Sequence, residues 1–449
     1  TSVSRGCMAA KYDAGYFCDY GVHKIENSPE FGKTAEDRER LLQEGGLKIV
    51  TTLDLDANAA MMDVANATIP AADSSGMEIV MASVKPGTGE VLGFGLNRTY
   101  DATDAAATDP TRSSMNYAVD QIDGGGQGFQ IGSSWKPINL VAWMQQGRSI
   151  NESLVAPTDF LTNKFSCNGY QGGTDNWHVT NALTNGTVSP ESPFLGLVHS
   201  HNTTMAAMGA QIGLCAVADA AKSLGYHNSK IGQEDVYSDI SMHPALLIGG
   251  TTSVSPLTMA NVYATIAADG VECTPVAIKS AEDSNGNKLE VPQANCHQAV
   301  DKEIIQTLAY TMNQGVTRPD GAARAAQLAD NRKTFAKTGT NENMYVTTGG
   351  FIPHQIATFV LVGDVQDPIN HPIENIAING EYHGYWDGST IAAPAFSKTV
   401  SQYAAKKNLP MDNDYGQAAD KYMKQVGVSR SQNGNTLQGT QQGQLQQQQ

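Results

Sequence analysis

The chain has 449 residues, 40% of them hydrophobic and only 16% charged, with 44 glycines and 18 prolines. That balance excludes a coiled coil, a collagen-like repeat and bulk disorder, and the length suits one large domain with appendages or two ordinary domains. Twenty-nine basic against 45 acidic side chains leave a formal charge of −16, which argues against binding nucleic acid or an acidic partner surface through a general positive field.

Residues 1–44 are polar and turn-rich, with a charge cluster at Glu36-Asp37-Arg38-Glu39-Arg40, and read as a linker holding one short helix and little core of its own. From Gly45-Gly46 the pattern changes. Leu47 to Leu53 alternates with β-branched residues and predicts a strand, after which Asp54 caps a helix reaching about Asn66. Asp54 and Asp56 are thereby explained as a helix start rather than as catalytic carboxylates. Met77–Ser83 and Val91–Phe94 predict two strands around Lys85-Pro86-Gly87-Thr88-Gly89-Glu90, a hairpin turn. Gly124-Gly125-Gly126-Gln127-Gly128 lacks the Gly-Lys-Ser/Thr of a phosphate loop and reads as a flexible approach to the Ser133 region. Helix-period stretches occupy 133–147, 202–224 and 256–269, whereas 334–338 and 355–363 read as strands. There is no internal repeat; the centre is helical and the sheet is assembled from both ends. Residues 428–449, ending in Gln-Gln-Gly-Gln-Leu-Gln-Gln-Gln-Gln, carry too little apolar content to order and predict a disordered tail.

Six cysteines stand at 7, 18, 167, 215, 273 and 296, none in a C-x-x-C spacing. Cys7 with Cys18 and Cys273 with Cys296 are local partners, leaving Cys167 with Cys215, which suits disulfides in an oxidising compartment. Six cysteines allow 15 connectivities, and free buried thiols are the alternative. No stretch approaches the ~20 apolar residues of a membrane-spanning helix. Residue 1 is Thr rather than Met, so the chain reads as part of a longer one whose signal or anchor would lie upstream.

Three short motifs carry the chemistry. In Gly132-Ser133-Ser134-Trp135-Lys136-Pro137, a helix beginning at Ser133 would put Ser133 and Lys136 on one face. A neutral lysine there can serve as general base to the hydroxyl, and the helix N-terminus aims N–H groups at an oxyanion. Alone, S-x-x-K is common, and a capping serine beside a surface lysine explains it. Ser200-His201-Asn202 is an S-x-N triplet at a helix start, where a hydroxyl can relay a proton and an amide can orient substrate or base. Alone, it is a helix cap. Lys337-Thr338-Gly339-Thr340 follows a strand-like run; its glycine permits close backbone approach, and a cation beside two hydroxyls suits a carboxylate. Alone, it is a turn at a strand end. The order and spacing of the three together turn the balance to function. His199 and His201, without a third ligand, read as solvent or packing residues rather than a metal site.

On these motifs the chain resembles the penicillin-binding, serine-acyltransferase group, and within it the transpeptidase portion of a bifunctional (class A) penicillin-binding protein. The likeness extends to Gly45–Asp54 at the start of that domain, to Ser255–Ala260 with Tyr263–Ala267 as its central helix, and to Ala392-Ala393-Pro394 near its end. Gly6-Cys7 and Tyr16-Phe17-Cys18 look like the linker from an absent glycosyltransferase domain in an actinobacterial relative. The resemblance implies a mixed α/β fold of the penicillin-binding and serine β-lactamase type: a central antiparallel sheet covered by helices, with an all-helical side carrying Ser133 and Ser200. The division it implies is linker 1–44, transpeptidase domain 45–400, a partly helical extension 401–427 and the tail 428–449.

By position, the resemblance makes Ser133 the nucleophile toward D-alanyl-D-alanine and Lys136 its base. Ser200 passes the proton to the departing D-alanine and Asn202 holds the acyl-chain amide. Lys337 keeps Lys136 neutral, Thr338 and Thr340 with Gly339 hold the terminal carboxylate, and the N–H groups of Ser133 and Thr340 form the oxyanion hole. Peptidoglycan stem peptides would be donor and acceptor, β-lactams would trap the acyl-enzyme, and cell-wall synthesis proteins are candidate partners; no metal or organic cofactor is implied. The location implied is the extracytoplasmic face of the membrane, the anchor lying upstream.

The chain departs from the family pattern in two places. Trp135 stands where Phe is usual, and Thr347-Thr348-Gly349 replaces a Trp-Phe pair, so the segment 341–350, read as a loop, is where acceptor choice would be decided. The rivals are a D,D-carboxypeptidase, with water as acceptor, a serine β-lactamase, and a non-catalytic penicillin-sensing domain. A β-lactamase needs a deacylating carboxylate; Glu191 is the nearest acidic residue before Ser200, and its Ser-Pro flanks suggest a loop.

Overall fold

The computed structural model describes residues 6–429 apart from 168–171, 183–187 and 240–242. Helices α1 (Gly15–Asn27) and α2 (Ala35–Glu44) come first, two where one was expected. Helix α1 is also more than a connector: Tyr16, Phe17, Tyr20 and Ile25 are buried in the main core. Tyr20 meets Phe94 edge-on at 5.4 Å, and the Lys24 ammonium pairs with Asp123 at 2.6 Å. Its apolar residues line one face of a polar helix, so average composition concealed them.

Strand β1 (Lys48–Thr51) leads to Asp54, whose carboxylate accepts the N–H groups of Asp56 and Ala57 at 2.9 and 3.1 Å and starts α3 (Leu55–Thr68). The hairpin of β2 (Glu78–Val84) and β3 (Val91–Leu96) comes next. The helical region comprises α4 (Lys136–Gln145), α5 (Pro193–Val198), α6 (Asn202–Ile212), α7 (Leu214–Ser223), α8 (Pro256–Ile266) and α9 (Lys302–Thr317). The chain then returns to the sheet with β4 (Phe335–Asn341), β5 (Tyr345–Ile352) and β6 (Ile356–Gly363). It closes with the hairpin β7 (Glu374–Ile378) and β8 (Glu381–Tyr385) and helix α10 (Ala393–Lys407).

The central sheet has the order β4-β5-β6-β2-β3, every neighbour antiparallel, with Gly339, Thr347, Leu361, Val80 and Leu96 in one row. Alternate side chains of a strand face opposite ways, and here both faces are covered. Ile79, Met81, Val360 and Val362 join Met61 and Val64 of α3 and Phe396 and Val400 of α10 in one cluster. Val80, Ala82, Phe359 and Leu361 join Met259 and Tyr263 of α8 in the other, which continues into the helical side around Trp135 and Trp143. The fold is mixed α/β, with the antiparallel sheet and helical side that the resemblance implied.

Segment 341–350 is not the expected loop: all but its first turn is strand β5, paired on both sides. The glycine pair Gly349-Gly350 weakens the strand propensity of this segment, and the flanking strands supply the order. Likewise Gly124–Gly128 is packed rather than a flexible approach, since a Cβ at Gly125 or Gly128 would collide with the backbone of Val119 or Ser253. Helix α10 runs through residue 400 without a break. Beyond it Tyr415 and Tyr422 return to the main core, and Val426–Ser429 pairs in parallel with Glu152–Leu154. The tail predicted from 428 lies outside the described residues from 430 onward.

The cysteines form Cys7–Cys18, Cys167–Cys215 and Cys273–Cys296, the local pairing. Among the described residues no single helix is long and apolar enough to cross a membrane.

Because α1 shares the main core, Phe17→Ala is expected to lower the stability of the whole by about 3–5 kcal/mol. Urea unfolding tracked by tryptophan fluorescence checks this: Trp135 and Trp143 lie in the helical side, and a merely appended linker would leave their transition unmoved.

Candidate active site

Ser133 lies in a single 3₁₀ turn, Gly132–Trp135, that runs directly into α4, so the α-helix proper starts at Lys136 rather than at the serine. Ser133 is half-buried amid buried neighbours, whereas Lys136 is fully buried. Trp135 anchors the turn from below, its indole N–H donating to Asn139 Oδ1 at 3.0 Å and its ring edge-on to Tyr226.

The side-chain nitrogen of Lys136 does not hydrogen-bond to Ser133. It donates to Ser200 O at 2.6 Å, Asn202 Oδ1 at 2.7 Å and Ser200 Oγ at 3.3 Å. These oxygens come from the corner between α5 and α6, where Ser200 has φ +61, a left-handed conformation unusual for a serine. Asn181 Oδ1 holds the start of α6 by accepting from the N–H groups of Asn202 and Thr203 at 2.6 and 3.1 Å. The Asn202 amide donates to Thr180 O at 2.8 Å, so Asn202 is a bracket between Lys136 and the preceding segment.

Strand β4 supplies the third arm. Lys337 Nζ donates to Ser200 Oγ at 2.8 Å and to Thr338 O at 2.7 Å. Both lysines thus converge on one hydroxyl. Gly339 and Gly132 let β4 and the serine turn touch backbone to backbone: a Cβ on Gly339 would stand 2.7 Å from Ser134 Oγ, and one on Gly132 would collide with the Thr340 carbonyl. The two threonines differ. Thr338 is buried and its hydroxyl donates to Ala322 O at 3.3 Å, while Thr340 is half-exposed beside the serine turn, with Tyr385 of β8 reaching it.

Burial first, and then the charge of Lys337, hold Lys136 well below the ordinary lysine value, against the pull of Glu191. Burial brings Lys337 down to about 7. A neutral Lys136 beside a Lys337 that gains its proton at about 7 is the pair of states that a base and an adjoining cation require.

Sequence reasoning missed the part played by Glu191. It is buried, and its carboxylate accepts from the Thr204 hydroxyl and pairs with His201 Nδ1 at 2.9 Å. Burial raises its pKa, but these hydrogen bonds outweigh burial and hold it below the usual carboxylate range. Its lone acidic position near Ser200 was the available signal. The segment expected to decide acceptor choice contains Thr347 and Thr348, and both are fully buried. Thr347 Oγ1 donates to Ile131 O at 2.9 Å and lies 2.6 Å from Ser134 Oγ, so it ties β5 to the serine turn instead.

A serine at the head of a helix, with a lysine pair closed over it by a second helical corner and a sheet edge, defines the class. Residues 79–371 match the family model of the penicillin binding protein transpeptidase domain, and the chain belongs to that family. Penicillin-binding protein 1A of Mycolicibacterium smegmatis is 27% identical over 347 residues, 73% of this chain and 38% of that protein. The peptidoglycan D,D-transpeptidase FtsI of Escherichia coli is 21% identical over 411 residues, 87% of this chain and 61% of that protein. The chain therefore spans less than two thirds of either relative. Among solved structures, PonA1 of Mycobacterium tuberculosis in complex with penicillin V has a TM-score of 0.67 at 21% identity, covering 85% of this chain and 91% of that one, a likeness of fold.

A lysine with a folded value of about 7 against an ordinary 10.5 holds its proton better in the unfolded chain, so it destabilises the fold below 10.5, increasingly down to about 7. Lys337→Met is accordingly expected to stabilise the protein at pH 7, with the gain shrinking as pH rises toward 10.5. Urea unfolding midpoints across that range test it; a gain independent of pH would contradict the burial of a titrating lysine.

Proposed function

We propose that the chain is a D-alanyl-D-alanine transpeptidase that cross-links peptidoglycan stem peptides through an acyl-enzyme on Ser133 and is acylated by β-lactams. The observation that carries this is the convergence of Lys136 Nζ and Lys337 Nζ on Ser200 Oγ, at 3.3 and 2.8 Å. In the reaction, Ser133 Oγ attacks the donor carbonyl and its proton goes to neutral Lys136. Collapse of the tetrahedral intermediate breaks the peptide bond, and Ser200 passes that proton to the nitrogen of the departing D-alanine. An acceptor amine then attacks the ester, its proton returns along the same path, and Ser133 is regenerated.

Lys337 supplies the positive potential, and half-exposed Thr340, rather than Thr338, is the hydroxyl offered to the terminal carboxylate. Asn202 acts first as the bracket of Lys136. The N–H groups of Ser133 and Thr340 are the oxyanion donors in this reading. Water in place of the amine would make the same site a carboxypeptidase. Against a β-lactamase stands the engagement of Glu191 by Thr204 and His201, which leaves it no free carboxylate to activate a deacylating water. The extracytoplasmic side, where stem peptides lie, is also where three disulfides persist. Peptide substrates and β-lactams are the partners this reading requires.

Intact-mass spectrometry after addition of a penicillin is expected to show one long-lived adduct, absent in Ser133→Ala, with D-alanine released from a stem-peptide mimic. An adduct that clears within seconds would indicate a β-lactamase, an adduct without D-alanine release a sensor, and no adduct would overturn the reading.

The rate of penicillin acylation is expected to be bell-shaped in pH. It falls on the acid side as Lys136 takes up a proton and ceases to be a base. It falls above about 7 as Lys337 loses the charge that attracts the carboxylate. Stopped-flow acylation rates across pH check this, and a profile that climbs throughout the alkaline range would contradict the role of Lys337.

A further inference from the structure

Flanking Ser200, Glu191, His199 and His201 bring one ligand atom each to within 4.8 Å of one another. The two histidines wanted a third ligand in the sequence; the fold supplies it from the start of the segment leading into α5. His199 Nδ1 lies 3.3 Å and His201 Nδ1 2.9 Å from Glu191 Oε1. Zinc bonds of about 2.0–2.1 Å in a tetrahedral site separate neighbouring ligand atoms by roughly 3.3 Å, close to the two nitrogen–oxygen distances here.

The surroundings aim these atoms. Asp320 Oδ2 lies 2.8 Å from His199 Nε2, and Asp320 is itself held by Arg318 through two contacts of 2.9 Å. With His199 Nε2–H donating to Asp320, His199 Nδ1 turns a lone pair to Glu191 Oε1, and two lone pairs facing each other at 3.3 Å are satisfied by a cation between them, a metal ion or a proton on Nδ1. A carboxylate that fixes the far nitrogen of a histidine is the usual second partner of a metal ligand. Thr204 donates to Glu191 Oε2, which His201 Nδ1 also approaches at 3.0 Å, while Oε1 faces both histidines. The carboxylate is buried, with 5% of its side chain exposed, while the His199 ring keeps 21%, so one side stays open to water as fourth ligand.

We infer that Glu191, His199 and His201 form a zinc site. Two imidazoles and one carboxylate favour Zn²⁺ over Mg²⁺ or Ca²⁺, which prefer all-oxygen shells. Ser200 sits between two of the ligands, so the metal clamps both flanks of the serine that the two lysines share. None of the three ligands takes part in the acyl-transfer steps, so the site stands whether or not that reading holds.

The test is metal retention by the purified chain, stripped with a chelator, loaded with zinc chloride and freed of excess. Inductively coupled plasma mass spectrometry is expected to find one zinc per chain, and the His199→Ala/His201→Ala variant to lose it. Asp320→Asn, which leaves all three ligands in place, is expected to bind about 10-fold more weakly. Zinc should raise the thermal midpoint of the unaltered chain by mass action and leave that of the double variant unmoved. Cobalt(II) added to the unaltered chain gives a reading that needs no variant: intense tetrahedral absorption bands, abolished by zinc, are expected. No retained zinc, equal retention by the double variant, or a weak octahedral cobalt spectrum would overturn the site.

Discussion

Two lysine side chains buried against a single serine hydroxyl are the constraint around which the rest of this structure is arranged. Charges removed from water are costly unless each finds oxygen acceptors, and two like charges side by side are costlier still. The fold answers with acceptors from three elements: the Ser200 carbonyl, the Asn202 amide oxygen and the Thr338 carbonyl. Bringing them together demands local distortion. Ser200 is held at φ +61, and the serine turn and β4 approach so closely that glycine alone serves at 132 and 339. Such strain persists where the surroundings over-determine it, and here α5, α6 and the capping Asn181 do so.

The legible parts of the sequence were those governed by short spacing. Ser133 with Lys136, Ser200 with Asn202 and the Lys-Thr-Gly-Thr run were readable because each is one turn or one strand end, and their order along the chain restricted the fold. The strand-like runs of β2, β3 and β6 and the Asp54 cap were readable for the same reason. What escaped depends on contacts far apart in the chain. Lys136 bonds Ser200 and Asn202, some 65 positions onward, rather than the serine three residues before it. Strand β5 is ordered by its two neighbours, not by Thr-Thr-Gly-Gly. Glu191 looked like a loop residue because its Ser-Pro flanks are local, whereas its burial is set by α6 and by a bridge to Leu154.

The ends of the described chain are part of the same economy of packing. Helix α1 places Phe17 and Tyr20 against Phe94 of β3, and the stretch after α10 returns Tyr415 to set its edge on Phe335 at the start of β4 and Phe351 near the end of β5. Segments that look like appendages by composition therefore brace the sheet at both edges, the second of them on the strand that carries Lys337.

Thr347 draws these threads together. It lies under the serine turn, fully buried, bonded to Ile131 and Ser134 on either side of the Gly132-Ser133 pair. Its hydroxyl sets the height of Ser133 above the sheet without meeting anything that enters the cleft. Under the proposed acylation of Ser133, drug insensitivity can thus arise from a residue no inhibitor touches. A resistance survey confined to the walls of the pocket would pass over it, and a ligand redesigned around those walls would have no purchase on the change.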